Sequence, residues 1–187
     1  MQLKDSPTSY SWISIALHWV GAIAIVMLWF IGNSMSSENI GELEYASLVH
    51  IHTSVATTVY CLLIIRIVHR VTVGFPNTPS GIPRIRRILT RLVQGFLLIG
   101  MTAMLISGPL MVWANGDVIG VFNWGGLPSP IPSNAALHEL MLKVHQISRW
   151  ALLAGVLTHV FGVFMSGSET LNRILITPPS SKKTHTA

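Results

Sequence analysis

Four long apolar stretches dominate this chain, and an α-helix needs about 20 such residues to cross the roughly 30 Å hydrocarbon core of a bilayer. Ser11 to Gly32, Tyr45 to Ile65 and Leu92 to Ala114 contain no Asp, Glu, Lys or Arg. The fourth stretch runs from about His138 to Ser166, with Lys143 near its start and Arg149 inside it. Half of the 187 residues are hydrophobic and a tenth are charged, where a soluble domain carries about a quarter charged residues. With no water in the bilayer to satisfy backbone groups, only helices and closed barrels span it. The expected fold is therefore all-α, an integral membrane four-helix bundle. One membrane domain over 1–187 is expected, with helices at about 11–32, 45–70, 90–114 and 135–166 and a polar tail at about 167–187.

The connections orient such a bundle. Glu38, Glu42 and Glu44 lie between the first two spans, with no Lys or Arg. Arg70, Arg84, Arg86, Arg87 and Arg91 lie between the second and third, with no acid. The third connection carries Asp117 and is rich in Gly and Pro, and the tail holds Arg173, Lys182 and Lys183. Cytoplasmic loops attract Lys and Arg, so the second connection and both termini are expected in the cytoplasm. The net charge of +5 is then a property of loops. No basic run interleaved with aromatics points to nucleic acid; lipid is the expected surroundings. The polar first ten residues carry no sign of a cleaved signal peptide.

Some local features follow. Pro76, Pro79 and Pro83 predict an irregular second connection. Gly108-Pro109 predicts a bend in the third helix. Gly116 to Pro132 is expected to lie over the bundle end as a lid, and Ser133 or Asn134 to cap the fourth helix. Cys61, the single cysteine, rules out an internal disulfide, a four-cysteine cluster and covalent haem attachment through C-x-x-C-H. It is expected as a small apolar core residue.

Four histidines fall well inside the spans: His18, His52, His145 and His159. Ionisable groups at that depth are costly and are functional candidates. His145 and His159 are fourteen residues apart on one helix, which returns them to within ~40° of one face and ~21 Å apart along the axis. His52 matches the depth of His145, and His18 that of His159, so the set closes as two pairs. Imidazole is a good ligand for haem iron. Two histidines fill both axial positions, which suits electron transfer and not oxygen binding. His50 points ~200° away from His52 around the helix, so only one of them can face the centre; His52 is the choice. His69, His138 and His185 stand at helix ends or in the tail.

The stretch Trp12-Ile13-Ser14-Ile15-Ala16-Leu17-His18-Trp19 resembles the opening of the bacterial cytochrome b561 family. His52, followed fourteen residues later by Arg66 and then by Arg70, resembles its second helix. His145 and His159, with Glu169-Thr170-Leu171-Asn172-Arg173 beyond, resemble its fourth helix and terminus. The resemblance covers nearly the whole chain. It implies a four-helix membrane protein with two non-covalent haem b groups, ligated by His18, His52, His145 and His159, in a bacterial inner membrane. It also implies electron exchange with quinone, ubiquinone being the candidate, or with a periplasmic or membrane redox protein. Two alternatives are a superoxide:ubiquinone oxidoreductase and the cytochrome b anchor subunit of a larger redox complex. Gln94 stands where many members have a histidine in the third helix, Ser166-Gly167 where many have paired histidines, and Ala56 where a glycine is common.

Two arginines complete the expected site. Arg66 shares a face with His52 and lies near the cytoplasmic haem, where guanidinium could clasp a haem propionate; the alternative is that Arg66 and Arg70 reach out to lipid headgroups. Arg149 is one turn from His145, with a propionate of the other haem or Glu139 as its partner.

Overall fold

A computed structural model describes residues 5–6, 9–77 and 81–166. The tail with Arg173, Lys182 and Lys183, the terminal Glu169–Arg173 stretch and Pro79 lie outside the described residues. Four helices make up most of the fold: α1 Trp12–Ser34, α2 Glu42–Val73, α3 Arg84–Ala114 and α4 Ala135–Met165. Each is long and apolar enough to cross a membrane.

Local chemistry sets the helix ends. Ser11 caps α1 by accepting a hydrogen bond from the Ser14 N–H, and Asn134 caps α4 by accepting one from Leu137. α2 begins at Glu42, with Glu42 and Glu44 in its first turn, where unpaired N–H groups favour negative charge. It ends on Gly74 at φ 77°, a conformation only glycine adopts at little cost. α3 begins at Arg84, directly after Pro83, well ahead of the apolar stretch. Apolar content marks only the part of a helix immersed in lipid; the fixed φ of Pro83 sets where the helical turns start.

α3 continues through Pro109. Proline has no N–H, so the Leu105 carbonyl loses its intrahelical donor. The Tyr60 hydroxyl, from α2, donates to that carbonyl at 3.1 Å. The gap in the backbone ladder is thus filled by a neighbouring helix.

The helices pack as two pairs, α1 along α2 and α3 along α4, and the pairs approach each other only sparsely. Small residues let α3 and α4 come close. A Cβ on Gly155 would lie 2.9 Å from Leu97 Cδ2 and 3.0 Å from the Phe96 ring, and one on Gly100 would lie 2.9 Å from Leu152 Cδ2. Gly155→Val should therefore wedge the pair apart and cost about 1–3 kcal/mol, read as a lowered melting temperature in detergent; an unchanged melt would place α3 further from α4.

The outside of the bundle is apolar: Phe30, Ile99, Ile147, Phe161 and Phe164 all project outward. The fully buried side chains include Ser11, Ser14, Ser54 and Ser107, small polar residues of the kind that bring membrane helices together. Cys61 corrects an expectation. It is exposed on α2, not in the core; a small apolar thiol is as stable against lipid as against protein, so composition could not place it.

Between α3 and α4 the chain forms a short ribbon, β1 Ile119–Gly120 antiparallel to β2 Gly126–Leu127, with Ile119 opposite Leu127. Its turn places Phe122 at φ 44° and Gly125 at φ 111°. The ribbon is pinned to α2. Thr53 donates to the Gly120 carbonyl at 3.1 Å, and the Phe122 N–H donates to Ser54 Oγ at 2.7 Å.

Candidate functional site

The bundle has a basic end, where α1 and α3 start and α2 and α4 finish, and a ribbon end opposite. His18 of α1 faces His159 of α4 near the basic end, with ring centroids 6.2 Å apart and planes at 61°. His52 of α2 faces His145 of α4 near the ribbon end, at 6.4 Å and 76°. Each pair thus reaches across the sparse interface between the two helix pairs. A metal–imidazole bond is about 2 Å and the nitrogen sits about 1.1 Å from the ring centre, so two imidazoles on opposite sides of one metal ion have centroids about 6.3 Å apart. Both pairs have that spacing.

Their surroundings fit rings held in place. The Gly32 position, were it to carry a Cβ, would bring that atom 3.5 Å from His52 Cε1; at Gly108 it would lie 3.4 Å from His145 Cε1. Ser107 Oγ is 3.1 Å from His145 Nδ1. His50 turns away: its ring nitrogen meets the Phe122 carbonyl at 3.2 Å. His138 donates from Nδ1 to the Met111 carbonyl at 2.7 Å.

The two arginines are drawn inward. Arg66 Nη2 lies 3.0 Å from His18 Nδ1; with a metal on Nε2 the His18 proton would sit on Nδ1, and the Arg66 guanidinium would turn to an anionic group instead. Arg149 donates through Nη1 to the Gly32 carbonyl at 3.3 Å and to Ser36 Oγ at 3.0 Å, and lies over the Trp150 ring. Glu139 is exposed and is not the partner of Arg149. Arg70 does not extend to the headgroup region either. Its side chain is 6% exposed and pairs with Asp5 at 2.8 Å.

Residues 9–175 match the family described as prokaryotic cytochrome b561. The chain belongs to the prokaryotic cytochrome b561 family. It is also similar to cytochrome b561 homolog 2 of Escherichia coli (strain K12), at 26% identity over 179 residues, 94% of this chain and 95% of that protein. A cytochrome b561 is a multi-pass membrane protein of bacteria that binds haem b and transfers electrons.

The donor set of this cytochrome b561 suits haem. Among the described residues no three His, Cys, Asp or Glu side chains form a metal-holding group; the histidines meet in twos. Zinc sites take three or four protein ligands, whereas haem iron needs from the protein only its axial ligands. Among the described residues, three buried side-chain nitrogens have no hydrogen-bond partner: Trp29 Nε1, His52 Nδ1 and Arg149 Nε. The Leu28 backbone lies beside the His52 ring, without a well-formed bond to that nitrogen. All three belong to the ribbon-end site, since Arg149 binds Gly32, Gly32 faces His52, and Trp29 packs on Trp150. Buried unpaired donors are costly, and a carboxylate-bearing group lodged there would accept from Trp29 Nε1 and Arg149 Nε.

Three contributors escaped sequence reading: Asp5, Ser14 and Ser107. Asp5 left one usable signal, being the only acid before Glu38 and so the nearest counter-charge to the arginines of the basic end. The hydroxyls left none, since Ser in a membrane helix is common packing material.

Proposed function

We propose that this cytochrome holds two haem b groups without covalent attachment, one between His18 and His159 and one between His52 and His145, and passes electrons between the two faces of a bacterial inner membrane in exchange with ubiquinone. The observation that carries the proposal is the imidazole spacing of 6.2 and 6.4 Å in both pairs. Bound there, haem would supply a one-electron couple.

The protein's part is binding, spacing and electrostatics. α4 carries one ligand of each pair and fixes their separation at about 21 Å along its axis. Gly32 and Gly108 leave room for the ribbon-end rings, and Ser107 holds His145 by Nδ1, orienting Nε2 toward the centre. The basic end faces the cytoplasm in this reading. Arg66 and Arg149 act as cations beside the two haems and donate to their carboxylates. Removing a nearby cation disfavours the added electron. Arg66→Ala should therefore lower the potential of the basic-end haem, and Arg149→Leu that of the ribbon-end haem. Unaltered potentiometric titrations of both variants would take these residues out of the site.

Rapid mixing of the oxidised protein with a soluble ubiquinol tests the electron partner. The expected result is reduction of both haems, seen at the b-type α-band. Glu38, Glu42 and Glu44 at the ribbon end give superoxide, an anion, little attraction. Reduction by superoxide with none by ubiquinol would overturn the quinone reading.

A further inference from the structure

We propose that Asp5 is a positioning residue for the basic-end haem site: it ties the start of α1 to the end of α2, and by cancelling the charge of Arg70 it sets the redox potential of the haem held there. The proposal rests on the dihaem reading above and adds to it a residue outside the helices.

The geometry forms a closed loop. One oxygen of the Asp5 carboxylate, Oδ1, accepts from the Ser11 N–H at 2.7 Å and from the Ser14 hydroxyl at 2.6 Å. The other, Oδ2, accepts from Arg70 Nη1 at 2.8 Å. Ser14 precedes His18 by one helical turn on α1, and Arg66 precedes Arg70 by one turn on α2. Both arms therefore lead within a turn to the two residues of one close pair, His18 and Arg66, 3.0 Å apart.

The anchor is dry and complete. Side chains of Arg70 and Asp5 are 6% and 3% exposed, and this is the one Lys/Arg–Asp/Glu ion pair among the described residues. Arg70 also donates to the Gly74 carbonyl at 3.0 Å and lies over the rings of Tyr10 and Phe75. An exposed pair would be worth little. A buried pair keeps its field, and breaking one partner leaves an uncompensated charge.

The charges are unequal in number. Arg66 and Arg70 both act on His18, and among the described residues Asp5 is the one carboxylate that contacts either of them. Burial alone would raise the Asp5 carboxyl, but hydrogen bonds from Ser14, Ser11 and Arg70 outweigh it and hold the group below the usual carboxylate range.

Charge and scaffold roles separate by sign. The full-length protein, purified with its haem, is titrated potentiometrically at neutral pH as wild type, Asp5→Asn, Arg70→Gln and the double variant. Asp5→Asn should raise the potential of the basic-end haem and Arg70→Gln should lower it. The double variant should return close to wild type, Asp5→Glu should behave as wild type, and the ribbon-end haem should hold its potential throughout. Shifts of the same sign in both single variants, or none, overturn the proposal. Should Asp5→Asn fail to accumulate, Arg70→Gln decides alone: a lowered potential supports the proposal and an unchanged one overturns it. A wild-type preparation without two b haems overturns the dihaem reading itself, and so is told apart from failure of this inference.

Discussion

Replacing His159 by alanine should remove one haem of two and leave the other with its spectrum intact. The same loss should follow from His18→Ala, because the two rings stand 6.2 Å apart at the basic end and an iron between them needs both. His52→Ala and His145→Ala should each remove the other haem. The pairing makes a sharper statement about combinations. A His18/His159 double variant should lose no more haem than either single, since both residues serve one site. A His18/His52 double variant should lose all of it. Haem per chain, counted as the pyridine complex, falls to about half in the first case and to none in the second. Additive loss within a pair would mean that the facing rings belong to different sites. Residues acting as one unit are non-additive in this way.

Gly108→Val should empty the ribbon-end site while every histidine is still present. A Cβ at Gly108 would lie 3.4 Å from His145 Cε1, at the near limit of ordinary contact, so the two further methyls of valine have no room beside the ring. The His145 ring cannot retreat freely, because Ser107 holds its Nδ1 at 3.1 Å. Pro109 and the Tyr60–Leu105 contact fix the backbone of α3 on either side. The substitution should therefore turn His145 out of line with His52 and halve the haem count, with the basic-end spectrum unchanged. Gly108→Ala, adding only the atom at ordinary contact distance, should keep both haems. Full occupancy in Gly108→Val would show that His145 is not confined by α3.

Much of this was legible in the sequence because the membrane imposes it. Charge-free stretches of spanning length are rare by chance, so the four helices and the all-helical fold could be read directly. The fourteen-residue interval between His145 and His159 placed both on one face before any contact was known. Matching depths alone then paired them with His18 and His52, and the structure brings together the same partners. Other features depend on contacts between distant segments. The start of α3 at Arg84 follows from Pro83 and not from hydropathy. The ribbon at Ile119–Leu127 is too short for any periodic signal, and it exists because Thr53 and Ser54 of α2 satisfy its backbone. Arg70 gave no hint that it would bury itself on Asp5, some 65 residues earlier. Cys61 could face lipid or core with equal ease.

The central claim is that two histidine pairs hold two haems, and its most direct test is a dithionite-reduced minus oxidised spectrum of the wild-type protein with a pyridine-haem count. The predicted result is b-type bands with two haems per chain. A haem-free spectrum, or a single haem per chain, from cells supplied with haem would contradict it.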